Sequence, residues 1–277
     1  MLKKTILTCT VFAMLFIINN DLNAQQMETS PRDGAYDRNL QQERVPIAYP
    51  HLREADVFWQ HRVWREIDTR QKMNLYFRYP NQYFVDILRD HIIENEITAY
   101  SAMDDRFTDV MTSQEVQDIG AGTDTIWVVD PVTLEETQEV VVNEFNPESV
   151  IKIRLKEDWI FDKQTSTMIV RIIGIAPIIQ NVDEQGNIRG DEVMFWVYYP
   201  DARDVLAKYD AFNEGNYAVR LSFEDIFEMR YFDSFIIKEV NVHDRRVVDY
   251  ATGVDAILES DRIKEKIFNF EQDLWSY

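Results

Sequence analysis

EVMFWVYYPDARDVLAKYDAFNEGNYAVRLSFEDIFEMRYFDSFIIKEV, residues 192–240, reads as strand, helix, helix, strand. Residues 193–199 are a continuous apolar and aromatic run closed by Pro200. That run is short and rich in residue types that fit a pleated surface, so it predicts a strand buried on both faces. Pro200 suits the first turn of a following helix, with Asp201 and Asp204 near its positive end. Val205, Leu206, Tyr209 and Phe212 recur at spacings of three and four and give that helix an apolar stripe. Ser222 followed by Asp225 has the spacing of a capping box, after which Phe223, Ile226, Phe227, Arg230 and Tyr231 continue at helical spacing. Residues 235–242 return to extended character. The unit contains no histidine, no cysteine and no glycine-rich turn, so its aromatics read as core and interface material.

Working outward from this unit, residues 56–68 predict a helix, with Trp59, Val63 and Ile67 on one line and Trp64 beside it. Residues 75–79 read as extended up to Pro80, and Phe84, Ile87, Leu88, His91 and Ile92 mark a second helix. LYFRYP leading into VDILRD echoes WVYYP leading into RDVLAK, which would make two weakly similar halves. Residues 125–130 and 139–145 flank a turn that starts at Asp130 and Pro131 and predict a hairpin. Residues 150–155, 159–161 and 168–179 extend the sheet, with Pro177 favouring an edge or a bulge. The chain closes with a helix over residues 255–274, striped by Ile263, Ile267, Phe270 and Leu274. The fold class is therefore α+β, a mainly antiparallel sheet with helices packed on it.

At the start, residues 1–24 carry Lys3 and Lys4, then an apolar run from Ile6 to Ile18, the pattern of a secretory signal peptide. Cys9 lies inside that run, so the chain after the expected cleavage has no cysteine and no disulfide. No later stretch is long and apolar enough to span a bilayer. Residues 25–54 are polar, carry Pro31, Pro46 and Pro50, and read as an extended arm ahead of a globular region over residues 55–277. The formal net charge of −20 disfavours nucleic acid and anionic lipid and favours a basic partner surface. Glycine, at 8 residues in 277, leaves little material for phosphate-cradling loops.

Catalytic signatures are absent: there is no HExxH, GxSxG, P-loop or CxxC, and Gly120 and Gly122 lack a third glycine for a dinucleotide loop. His51, His61, His91 and His243 are scattered and read as surface or half-buried residues. Residues 181–192 match a calcium loop in part, with Asn181, Asp183, Gln185, Gly186 and Glu192 at the expected offsets, but two ligand positions are neutral amides and the flanks read as strands. A hairpin explains the same residues. No cofactor is implied.

The ordered blocks FWQHRVWREID, VVDPVT, DWIFDKQTSTMIVRIIGIAP, FWVYYPDARDVLAKYDAFNEGN and the ending NFEQDLWSY, behind an export signal closing on NAQ, resemble the GldN (PorN) family of Bacteroidota. The resemblance covers essentially the whole exported chain. It implies a non-enzymatic periplasmic subunit of the type IX secretion system and of gliding motility, at the inner face of the outer membrane. It also implies a large ring formed by self-association and with the lipoprotein GldK (PorK), and a link to the motor subunit GldM (PorM). The family brings no catalytic residues, and Ser276 in the terminal LWSY is a small departure. In that setting the expected interface residues are Val45, Ile47, Tyr49 and Leu52 of the arm, Trp59 and Trp64, and Trp275 and Tyr277. The alternatives from other classes are a periplasmic carboxylate-dependent hydrolase and a calcium- or ligand-binding module at residues 181–192.

Overall fold

In a computed structural model, strand β1 (Val57–Asp68) occupies the stretch for which helical spacing predicts a helix. The structure describes residues 44–120, 122–129, 136–143, 145–182, 188–216 and 218–275, all within one unit that runs from Gln42 to Tyr277. The expected signal peptide and residues 25–43 of the arm lie outside the described residues. The correction at β1 has a simple cause. A spacing of four is a helical repeat and also an even number, so Trp59, Val63 and Ile67 share one face of a strand as readily as one face of a helix. Long-range pairing settles the ambiguity: β1 is hydrogen-bonded on both sides.

Residues Lys72–Arg78 form a 3₁₀ turn rather than the expected extended segment. Fully buried Asn74 fixes it, with its Nδ2 donating to the carbonyls of Asp68 and Asp233 at 2.9 Å each and its Oδ1 accepting from the Asp233 N–H at 3.0 Å. Three residues on, Phe77 turns into the core against Phe84, Phe223 and Phe227. This turn also removes the internal echo, because only one of the two matched segments is a strand. Helix α1 (Phe84–Ile93) and the short strand β2 (Ala99–Tyr100) follow. Helix α2 (Ser113–Asp118) starts on a capping box made by Thr112 and Glu115.

Strands β3 (Gly122–Val129) and β4 (Glu136–Asn143) form the expected antiparallel hairpin as a separate two-stranded sheet. The two long strands β5 (Val150–Asp162) and β6 (Thr167–Val182) carry the main sheet. Short strands β7 (Ile188–Val193) and β8 (Trp196–Tyr198) then pair with successive parts of β6. Pro177 is therefore internal, paired with Ile153 on one side. Its missing N–H faces the other side, where the partner chain breaks between β7 and β8 and the Met194 N–H reaches the Pro177 carbonyl at 3.0 Å.

Helix α3 (Tyr199–Leu206) has Pro200 in its first turn as expected, but it ends before Tyr209 and Phe212. Those two residues flank β9 (Asp210–Ala211), which pairs with β10 (Leu221–Ser222). Ser222 then caps α4 (Phe223–Glu228) with both bonds of the capping box, and β11 (Phe235–Glu239) and the terminal helix α5 (Val254–Trp275) complete the chain.

The main sheet has the order β11-β1-β5-β6-β8-β2, with β7 also on β6, and all its pairs are antiparallel. Alternation puts Ile67, Ile153, Leu155 and Ile175 under α1, α3 and α4, in one aromatic-rich cluster with Phe84, Leu88, Phe195, Tyr199 and Phe227. Val63 and Ile236 pack under α5 through Ile263 and Ile267. On the reverse face Trp64, Ala176 and Trp196 are covered by the loop around Phe107. There the Trp64 indole N–H donates to Asp105 at 2.6 Å, and burial holds the Lys156 ammonium below the usual lysine range. Gly174 makes this cover fit, because a Cβ there would sit 2.5 Å from the Phe107 ring and 3.2 Å from Trp196.

Within the sheet Glu157 is completely buried, with Arg65 Nε at 3.2 Å and Arg230 Nη2 at 3.0 Å. Replacing it with Ala leaves two guanidiniums facing each other without a counter-charge and is expected to cost about 3–5 kcal/mol in a denaturant titration. Gly174→Val overpacks the reverse face and should cost about 1–3 kcal/mol by the same measurement.

Candidate interaction surfaces

The arm docks on its own chain through one aromatic ring. Arg171 and Arg203 both lie 3.9 Å from the centroid of Tyr49, and the Tyr49 hydroxyl donates to Glu228. Arg203 is itself held by Glu224 at 2.6 Å and donates to the Ile47 carbonyl at 2.8 Å, while Arg44 pairs with Asp225 at 2.7 Å. The socket is thus built by α3, α4 and β6. Burial, followed by the neighbouring Glu228 carboxylate, pushes the Tyr49 hydroxyl well above the ordinary tyrosine range. Although its backbone is anchored, the arm turns Val45 and Ile47 outward, 80% and 87% exposed, and Leu52 is half-buried.

The other residues expected at interfaces are distributed differently. Trp59 is half-buried and stacks on Phe270 of α5 with centroids 4.4 Å apart, on the same strand face as His61, whose Nε2 lies 2.8 Å from Glu239. Trp64 is buried under Asp105 and Lys238. The side chain of Trp275, and all of Tyr277, lie outside the described residues.

A groove of about 930 Å³ runs between the Lys72–Arg78 turn and the β9–β10 hairpin. Met73, Leu75, Phe212 and Tyr231 give it exposed apolar walls, and Tyr79 stacks on Phe212 at 4.5 Å. Tyr76 closes its inner side by donating to the Tyr231 carbonyl, and burial raises that hydroxyl above the ordinary tyrosine range. Arg70, Lys72 and Arg78 line the groove against one carboxylate, Glu214. Arg70 is matched by Asp68 at 2.8 Å and Arg78 donates to the Glu148 carbonyl, whereas Lys72 has no ion-pair partner among the described residues. Sequence reading missed this groove because it treated the 3₁₀ turn as a strand. The signal was present in the clustering of Arg70, Lys72 and Arg78 in so acidic a chain.

A second cleft, of about 540 Å³, opens between α5 and the segment joining α4 to β11. Arg65 and Arg230 form its floor around Glu157, and Asp261, Glu265 and Glu271 share its rim with Lys264. Burial holds the Arg65 guanidinium below its usual range, with Glu157 opposing that shift.

Neither cleft presents an acid–base pair. The buried carboxylates are tied to cations or backbone N–H groups: Glu66 to Arg154 at 2.7 Å, Asp158 to Arg62 at 2.6 Å, Glu224 to Arg203, and Asp162 to the Gln164 N–H at 2.8 Å. The backbone N–H of Gln164 and its neighbours hold Asp162 below the usual carboxylate range, the opposite of what a general acid needs. Asp86 is raised, by burial and then by Asp90 one turn on, but it lines neither cleft. His91 is buried rather than at the surface. Its Nδ1 meets Glu96 at 2.9 Å and its Nε2 meets the Tyr209 hydroxyl at 2.7 Å, so both ring nitrogens are already bonded, although Glu94 and Glu96 lie close enough to share a cation with it. At the calcium-like stretch the flanking segments are β6 and β7, and Asn181 Nδ2 donates to Glu192 at 2.7 Å, closing a hairpin end. Residues 183–187 lie outside the described residues.

Replacing Tyr49 with Ala should free the arm, raise tryptic cleavage at Arg44 and Arg53, and lower stability by about 1–3 kcal/mol. Tyr49→Phe keeps the ring and should cost only about 1 kcal/mol. Because the folded state raises this hydroxyl, its contribution is complete below the unfolded tyrosine value of about 10 and is lost only as pH climbs past it. The tyrosine hydroxyl therefore adds no pH dependence to arm protection below about 10.

The model of the family described as Gliding motility associated protein GldN matches residues 52–276, almost all of the described chain. No curated protein matches.

Proposed function

Because the chain belongs to the GldN family of gliding motility associated proteins, we propose that it is a non-enzymatic structural subunit of the type IX secretion system. It acts in the periplasm at the inner face of the outer membrane, in a large ring with a GldK/PorK-like lipoprotein, and it links that ring to a GldM/PorM-like motor subunit. The family match carries this reading. The lysine-then-apolar start of the chain supports export, and no helix among the described residues is long and apolar enough to cross a membrane. Four arginines on the walls of the two clefts, Arg65, Arg70, Arg78 and Arg230, are held by carboxylates or carbonyls of the chain itself. The exposed arm residues Val45 and Ile47, Trp59, and the chain end at Trp275 and Tyr277 are the surfaces through which this subunit meets its partners. Forces in such an assembly pass through packed side chains, which suits a sheet braced inside by the Glu157, Asp158 and Glu66 ion pairs.

Affinity recovery of the tagged protein from mildly solubilised cell envelopes, with mass spectrometry of what accompanies it, tests the role. The expected result is one outer-membrane lipoprotein in near-equal amount within a particle far larger than the monomer. Recovery of the protein alone, under conditions that preserve other envelope complexes, would overturn it.

A further inference from the structure

The terminal helix α5 is apolar on two faces. Ile263 and Ile267 face the sheet, but Val254, Ile257 and Leu258 point away from it and are 71%, 61% and 61% exposed. With Asp261 they follow the offsets i, i+3, i+4 and i+7, so they form one continuous stripe. Asp255 stands beside it, and neither Asp255 nor Asp261 has an ion-pair partner among the described residues. Nothing among the described residues covers the stripe. Three adjacent, mostly bare aliphatic side chains on a two-turn stretch are a surface that an isolated chain does not need.

The groove beside the Lys72–Arg78 turn has the complementary character. Its walls are apolar and include the adaptable Met73, and its cations outnumber its carboxylates in a chain whose net charge is −20. After Asp68 has neutralised Arg70, Lys72 and Arg78 still face Glu214 alone. An amphipathic helix with acidic edges is the shape and charge that such a groove recognises, read through anchors at i, i+3, i+4 and i+7.

We propose that the Val254, Ile257, Leu258 and Asp261 stripe of one copy docks in the Lys72–Arg78 groove of a second copy. This deepens the structural-subunit reading and rests on it for a setting in which copies are crowded together. The occupant is a second copy because both members of the complementary pair lie on this chain. Two copies repel in general, each carrying −20, and attract only where the sign reverses locally. The two patches are different surfaces, so the contact is head-to-tail: each copy that docks its helix leaves its own groove open for the next.

Charge reversal tests this on the full-length exported chain by sedimentation velocity at low and high ionic strength. One variant, K72E/R78E, makes the groove acidic; the other, D255K/D261K, makes the stripe basic. Lys72, Asp255 and Asp261 are exposed and their reversal should leave the melting temperature unchanged, whereas Arg78 is half-buried at the Glu148 carbonyl, so K72E alone serves as the groove variant if R78E lowers it. Wild-type protein should self-associate, more strongly at low salt, and each variant alone should associate on the order of a hundredfold more weakly. Mixing the two variants should restore association, because every acidic surface then finds a basic one. A wild type that stays monomeric at all concentrations, variants that associate as wild type does, or a mixture that stays dissociated would each overturn the contact. Envelope recovery separates the two levels. A monomeric wild type that still brings down the lipoprotein removes this contact alone, and one that brings down nothing removes the assembly role as well. Loss of the lipoprotein in K72E/R78E, with wild type monomeric, would assign the groove to that partner instead.

Discussion

Glu157 has no access to water, and an isolated carboxylate in that position would be unstable by several kcal/mol. It is stable because Arg65 from β1 and Arg230 from the end of α4 converge on it, and because the Trp159 indole N–H donates to the same carboxylate at 3.3 Å. The requirement ties three separate parts of the chain to one point. It fixes the position of β1 against β5, it brings the segment after α4 down onto the sheet, and it forces the gap between the main aromatic core and the smaller core under α5. Arg65 extends the tie by donating to Ser234 at 3.0 Å, at the entrance to β11, and so sets where the edge strand begins. A hydrophobic residue at this point would pack, but it would not specify which strand and which loop meet there.

The same device recurs at the outer parts of the fold. Arg203 and Glu224 join α3 to α4 in a nearly dry pair, and the spare N–H groups of that guanidinium hold the arm at the Ile47 carbonyl while its flat face covers Tyr49. Planar, always-charged guanidinium suits this double task, since it stacks and donates at once. Buried cations in this acidic chain therefore act as fasteners, each consumed by carboxylates, rings or carbonyls. Exposed Lys72, on the wall of the groove, has no such partner among the described residues.

How much of this is legible in sequence depends on whether local rules or distant partners decide a segment. The Ser222 capping box, the Pro200 helix start, α1 and the long hairpin strands are dictated by nearest neighbours, and they fold as their spacing predicts. β1 is not decided locally. Its even spacing of bulky residues fits both periods, and only β5 and β11 on its flanks select the strand. The Lys72–Arg78 turn is likewise fixed by Asp233, about 160 positions away, through the side chain of Asn74, a link that no periodicity encodes. The interface residues expected from aromatic size divide for the same reason. Trp64 is drawn inward by Asp105 and two lysines, whereas the aliphatic Val254, Ile257 and Leu258 on the far side of α5 were overlooked because the helix already had a satisfied stripe.

Net charge and exposed apolar surface are then parts of one design. A chain at −20 keeps its copies apart, so bare side chains such as Ile47, Ile257 and Leu258 can stay uncovered without causing indiscriminate sticking. Repulsion of this kind acts over roughly a Debye length, about 8–10 Å in physiological salt, whereas hydrophobic burial acts only on contact. Any association must therefore begin where the local sign is reversed, and in the described chain the groove with Lys72 and Arg78 meets that condition beside apolar walls. Selectivity follows from the two ranges acting in series: long-range repulsion rejects most approaches, and the few that survive are those that bring an acidic, apolar surface to a basic, apolar one.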